Sequence, residues 1–182
     1  MALLIGYLMT LYHSDMRHRL LVLYDRSIRD GLTGLLNRRG ATDAINKSLA
    51  RHAGSNALLL VDIDNLKMIN DLRGHISGDA VITRTAQAIR ESIREGDERA
   101  RLGGDEFIVF SPDRDTEGAA KIAEGIRARL SNQRMPLAGG KFSVSIVISV
   151  QDGTSADFTR MYQDADAALY HAREDGKSGF GL

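Results

Sequence analysis

The stretch Arg101-Leu102-Gly103-Gly104-Asp105-Glu106-Phe107, running straight into Ile108-Val109-Phe110, constrains this chain more than any other. Two glycines ahead of a run of β-formers predict the tight turn of a hairpin, with arms over 98–102 and 107–110. The turn then carries two adjacent carboxylates, Asp105 and Glu106, to the point where a strand begins. Side chains alternate faces along a strand, so these two cannot both point the same way. A second acidic cluster ends the apolar run from Leu58, where Asp62 and Asp64 stand two apart and share a face. Asp at the end of an apolar strand packs poorly and is a good oxygen ligand for a hard cation such as Mg²⁺. Like charges gathered there repel unless a cation or protons compensate. Held by such acids, a pair of metals would activate a hydroxyl and steady a phosphoryl group in an in-line displacement. The competing reading is a set of ordinary solvated strand-end acids, and it is strongest for Asp64.

Around these two clusters, strands and helices interleave. Residues 2–28 read as one helix without proline, in which Ile5, Met9, Tyr12, Met16, Leu20 and Leu23 recur at steps of three or four. The slip between Met16 and Leu20 makes this an imperfect coiled-coil seam. It serves either self-association or docking on the chain's own domain. Asp30 to Gly34 breaks the helix, and a second helix is expected from Arg38 to His52. A strand over 57–63 precedes a short helix from Leu66 to Asn70. Gly74 to Asp79 reads as a loop in which Ser77 is a candidate cap and His75 a loop histidine. Val81, Ile82, Thr85, Ala86 and Ile89 mark a helix over 80–93 with one buried face. Asp115 or Thr116 caps the next helix, to about Leu130. Phe142 to Val150 is a period-two strand whose even positions face the core, leaving Ser145, Val147 and Ser149 on the less apolar side. Met161, Ala165, Ala168, Leu169 and Ala172 stripe a last helix over 158–173. The fold class is α/β (α+β): a two-layer domain with helices mainly on one face of a mixed sheet. The division is an N-terminal helix, 1–28, and a domain, 29–182.

With 24 basic and 24 acidic residues the chain is formally neutral, so any phosphate binding has to be local and a nucleic-acid partner is disfavoured. The absence of cysteine excludes a disulfide framework and a thiolate metal site. The apolar opening reaches charge by Asp15, too soon to span a bilayer, and lacks signal-peptide features. The expected compartment is the cytoplasm, or the cytoplasmic part of a membrane-associated or sensory protein from which this piece is cut. Lys67, Arg173 and Lys177 are candidate phosphate contacts. Asn70 and Asp79 could read a purine edge, the Asp accepting from guanine's donors. Arg94 and Asp97, three apart, either pair with each other or hold a planar ligand.

These pieces together resemble the GGDEF family, the diguanylate cyclases, from about Asp30 to Ser178. The matching segments are Asp30 to Arg39, Asp62 to Asp71, Gly74 to Asp79, Arg101 to Phe107, Val144 to Ile146 and Ala165 to Tyr170. The resemblance implies a nucleotidyl-cyclase or ferredoxin-like sheet and the condensation of two GTP into cyclic di-GMP. It implies Mg²⁺, with Mn²⁺ as the alternative ion, bound by Asp62, Asp105, Glu106 and the Ile63 carbonyl. One signature acid would help deprotonate the attacking hydroxyl. Lys67, Arg173 and Lys177 would hold the triphosphate with the amides near Asn65 and Leu66, while Asn70 and Asp79 would select guanine. Because each domain binds one GTP, the implied working form is a homodimer. Arg94 and Asp97 match the family's product-inhibition motif, which makes cyclic di-GMP an inhibitor too. Three departures stand out. Leu66 replaces a usual Phe, Arg173 and Lys177 invert the usual Lys and Arg, and Val147 replaces a Gly, where it would crowd whatever approaches that face. The alternative function is a weak or inactive module that binds GTP or cyclic di-GMP as a signalling effector.

Overall fold

The apolar run of residues 57–63 becomes the centre of everything else. In the computed structural model, which describes residues 2–131, 142–152 and 157–174, it forms β1 (Ser55–Ile63). β1 is flanked by β3 (Glu106–Ser111) on one side and by β4 (Val144–Asp152) on the other, with β2 (Glu98–Gly103) outside β3. The order is β2-β3-β1-β4 and every paired strand is antiparallel. One parallel bridge, Leu36 to Ala100, makes the sheet mixed but mainly antiparallel.

The helices are α1 (Ala2–Ile28), α2 (Arg38–Leu49), α3 (Leu66–Arg73), α4 (His75–Ser92), α5 (Thr116–Ser131) and α6 (Phe158–Glu174). They divide between the two faces of the sheet. Odd positions of β1 (Leu59, Val61, Ile63) pack with Phe107, Val109, Ile146 and the apolar sides of α3, α4 and α5. Even positions (Leu58, Leu60) pack with Ile108, Phe110 and the inner sides of α2 and α6. β1 is therefore buried on both sides, which is why it reads as a continuous apolar run and not as an alternation. The face of β4 expected to be less apolar is also covered. Val147 is completely buried in the cluster with Met161 and Ala165 of α6, so what approaches it is the protein's own helix.

Two local readings are corrected. The expected loop from Gly74 to Asp79 is only one residue long: Gly74, with φ of 78°, turns the chain and α4 resumes at His75. Ser77 does not cap that helix; its hydroxyl donates to the Arg73 carbonyl, at 2.9 Å, closing α3 instead. At α5 the choice resolves to Asp115, whose Oδ1 accepts from the Gly118 amide at 2.8 Å. Where its side chains are described, the seam of α1 is not covered by the domain. Met9, Tyr12, Leu20 and Leu23 are each more than half exposed, and the carbonyls of Ser27 and Ile28 in its last turn accept from Asn37, the N-cap of α2. Among the described residues no helix is long and apolar enough to cross a membrane.

Candidate active site

The antiparallel register brings the acids together at one end of the sheet. Asp62 lies opposite Glu106 on β3 and opposite Ser145 on β4. By strand alternation all three belong to the face that carries Leu58, Leu60, Ile108 and Phe110. Asp62 is 4% exposed, a costly place for a carboxylate unless its charge is answered locally. Glu106 is reached from two helices at once. The Tyr162 hydroxyl of α6 donates to its Oε1 at 3.4 Å, and Arg38 Nη2, from the first turn of α2, lies 3.7 Å from its Oε2. The Arg38 guanidinium also sits over the Tyr162 ring, 5.8 Å from its centre. Burial and the Glu106 charge push the Tyr162 phenol above its ordinary pKa, with Arg38 partly offsetting them. Asp64 belongs to β4 instead: its carboxylate accepts from Ser145 at 2.7 Å and Ser143 at 2.5 Å.

The hairpin turn differs by one position from the sequence expectation. Gly103 still pairs, with Glu106, so the turn is Gly104-Asp105 and Asp105 sits at its tip, not at a strand start. Gly104 has φ of 49°, the left-handed region that glycine enters at no steric cost. The Asp105 carbonyl accepts from the Ile63 amide at 3.2 Å, tying the tip to the end of β1.

Arg101 braces this turn from behind. Its guanidinium donates to the Gly104 carbonyl at 2.8 Å and to both oxygens of Asp30 at 3.2 and 3.3 Å. Burial raises the Asp30 pKa, but bonds from Thr33 and the Arg101 charge outweigh it, leaving the carboxyl below its ordinary value. A carboxyl depressed in the folded state stabilises the fold above its unfolded pKa, about 3.9. That contribution is lost as pH falls through the lower, folded value. Asp30→Asn is therefore expected to cost about 1 to 3 kcal/mol at pH 7, the order of a charged hydrogen bond. Denaturant unfolding at pH 7 and pH 3 checks this, since the gap from wild type has to narrow in acid.

Beyond β1, Asn65 is left-handed with φ of 58° and offers no side-chain cap, so the first amides of α3 open beside the acidic end of the sheet without one. Leu66 is buried in the core and Lys67 is exposed. Asn70 packs close against Gly78, where a Cβ would collide with its Oδ1. That contact sets Asn70 beside the turn of α4 that presents the exposed Asp79. Arg173 falls on α6, but its side chain and all of Lys177 lie outside the described residues.

At the other end of β2, Arg94 and Asp97 form a closed pair. Asp97 is 4% exposed; Ser111 donates to it at 2.7 Å and the Arg94 side chain at 3.3 Å. Arg94 also donates to the Pro112 carbonyl at 2.6 Å.

As a metal site the donor set has the right chemistry, being carboxylate and carbonyl oxygen for a hard divalent ion. It is not gathered in advance: no group of three or more His, Cys, Asp or Glu side chains is assembled among the described residues. Glu106 is held instead by Arg38 and Tyr162. Neither partner was legible in the sequence, because Tyr162 lies 56 positions from Glu106 and has no periodic signal toward it.

A family model described as diguanylate cyclase, GGDEF domain, matches residues 27–179. Among curated proteins, the chain is 33% identical over 162 residues to the bifunctional diguanylate cyclase/cyclic di-GMP phosphodiesterase MucR of Pseudomonas aeruginosa, covering 87% of this chain and 24% of MucR. It is 36% identical over 155 residues to the diguanylate cyclase DgcM of Escherichia coli, covering 82% of this chain and 37% of DgcM. The chain thus spans well under half the length of either relative. Among solved structures, the coiled coil and GGDEF domain of DgcB from Caulobacter crescentus, in complex with c-di-GMP, superposes with a TM-score of 0.85. It is 27% identical, and the match covers 94% of this chain and 93% of that one.

Proposed function

This chain belongs to the GGDEF family of diguanylate cyclase domains, and from that premise we propose that it condenses two GTP into cyclic di-GMP, releasing two pyrophosphates. The observation that carries the reading is the single sheet end at which Asp62 and Glu106 lie in register, the Asp105 tip is tied to Ile63, and the start of α3 opens. Asp62, Asp105, Glu106 and the Ile63 carbonyl would hold Mg²⁺, or Mn²⁺. The bound ion supplies Lewis acidity for the attack of a 3′-hydroxyl on an α-phosphorus. The protein's own groups do the rest. Lys67 and the amides of Asn65 and Leu66 meet the phosphates together with Arg173 and Lys177, and Asn70 and Asp79 read guanine. One domain holds one GTP, so two chains have to face each other for the bond to form. Val147, which replaces the family's glycine, is fully buried in the cluster with Met161 and Ala165 of α6. Incubation with GTP and Mg²⁺ and analysis of the product over a range of protein concentrations is the test; hydrolysis alone, or no turnover, would overturn the reading.

Inhibition by cyclic di-GMP at Arg94 and Asp97 would require the product to open the pair, because Asp97 is enclosed by Ser111 and Arg94. Nucleotide choice rests on Asp79. Asp79→Ala removes the acceptor for guanine's N–H donors and is expected to erode the preference for GTP over ATP by about 1 to 3 kcal/mol. Since Asp79 is exposed, the variant keeps the fold. Paired titrations with the two nucleotides read the ratio directly, and an unchanged ratio assigns guanine recognition to another group.

A further inference from the structure

Away from the acidic end of the sheet, three arginines line a groove of about 290 Å³ between Arg29, just past α1, residues 34–36, the end of α4 and the edge strand β2. Two are anchored by consecutive carbonyls of one turn. Arg90 Nη2 donates to the Thr33 carbonyl, and Arg29 Nη1 donates to the Gly34 carbonyl at 3.2 Å. The third, Arg99, follows from strand alternation. Ala100 and Leu102 point into the α2–α6 side, so Arg99 shares the opposite face of β2 with Arg101. Its backbone is fixed there, its carbonyl accepting from the Leu36 amide at 3.3 Å. Arg29 pairs with Asp25 at 2.8 Å, but among the described residues neither Arg90 nor Arg99 has a carboxylate partner. Glu98 is the one acid lining the groove.

Each guanidinium has five donors in a fixed plane; the carbonyls of Thr33 and Gly34 use one from each of two, and Asp25 takes a further one from Arg29. The remaining donors, and those of Arg99, border a space that a phosphate group can enter. With Glu98 in the lining and Asp25 on Arg29, the three arginines still leave an excess of positive charge that an anion can neutralise, and the planar fork matches phosphate oxygens in pairs. In a formally neutral chain this local excess has no general electrostatic cause. We propose that this groove is a phosphate-binding site, separate from the nucleotide site, that takes a phosphate dianion or monoester. By bonding Arg29, Arg90 and Arg99 together, the ligand ties the end of α1 to the domain. The inference does not depend on the cyclase reading.

The test uses the whole chain and inorganic phosphate at low ionic strength, followed through the amide resonances of Gly34 and Ala100. Saturable shifts are expected in wild type. Arg99→Ala is the informative variant, because the backbone and not the side chain of Arg99 holds the 36–99 contact; affinity has to fall about tenfold or more, the order of one charge-assisted hydrogen bond. Lys121→Ala, which removes a charge from the exposed face of α5, and Lys67→Ala, at the nucleotide site, have to leave the shifts intact. A second arm replaces phosphate with phosphatidylcholine vesicles with and without phosphatidic acid. Shifts with free phosphate assign a soluble ligand; binding only to phosphatidic-acid vesicles, weakened by Arg99→Ala, assigns a lipid headgroup. No saturable response in either arm, equal affinity in wild type and Arg99→Ala, or loss on Lys67→Ala overturns the site.

Discussion

Asp105→Ala abolishes conversion of GTP to cyclic di-GMP while leaving the fold in place, if the acids at the sheet end do the chemistry proposed for them. Removing one preorganised contact to a developing charge costs about 10² to 10³ in rate, and a missing metal ligand acts on both substrate binding and activation. Position 105 suits the experiment because of where the structure puts it. The Asp105 carbonyl, not its carboxylate, receives the Ile63 amide, and the turn's left-handed residue is Gly104. Alanine keeps both. Glu106→Ala would be harder to interpret, since it also strips Arg38 and Tyr162 of their shared partner. Steady-state product formation and denaturant unfolding on the same preparation separate the two effects. Turnover within about tenfold of wild type would remove Asp105 from the metal site, tenfold being only about 1.4 kcal/mol of barrier.

The parts of this site that could be read in advance are those whose physics is local. Two glycines before Phe107-Ile108-Val109-Phe110 announce the hairpin, and acids at the end of an apolar run stand out because apolar strands do not spend positions on carboxylates without cause. What escaped was set by packing and pairing that residue preferences alone do not report. Gly74 to Asp79 looks like a loop because glycine, serine and aspartate favour turns. In the fold, Gly74 alone makes the turn, Gly78 is there to admit the Asn70 side chain, and Ser77 closes the preceding helix. Likewise Ser145 and Ser149 suggest a wetter face of β4. α6 covers that face, and Ser145 spends its hydroxyl on Asp64. The pattern along one strand reports its own alternation but not what lies above it. Arg38 and Tyr162 illustrate the same limit: they meet at Glu106 only because α2 and α6 pack on one side of the sheet, a fact of topology with no signature at either position.

α1 poses the opposite case, a pattern fully visible in the sequence whose described positions the domain leaves uncovered. Met9, Tyr12, Leu20 and Leu23 are between 57% and 61% exposed, and the domain does not cover them. Burying one such side chain is worth about 1.5 to 3 kcal/mol, so a seam of them closing on a second copy can set the population of facing domains. Deleting residues 1–26, or replacing Leu23 with Asp, is expected to move the protein concentration for half-maximal specific activity upward at least tenfold, about 1.4 kcal/mol of association. The maximal rate at saturating protein stays near wild type, because neither change touches the sheet end that carries Asp62 and Glu106. The point variant guards against a folding artefact: Leu23 faces solvent in the single chain, so charge there costs the monomer little and the dimer much. Specific activity measured from nanomolar to tens of micromolar protein, alongside sedimentation, reads both quantities. A specific rate flat over that range with monomer throughout would refute a reaction that needs two facing domains. A dimer that persists after Leu23→Asp would place the association surface on the domain and not on α1.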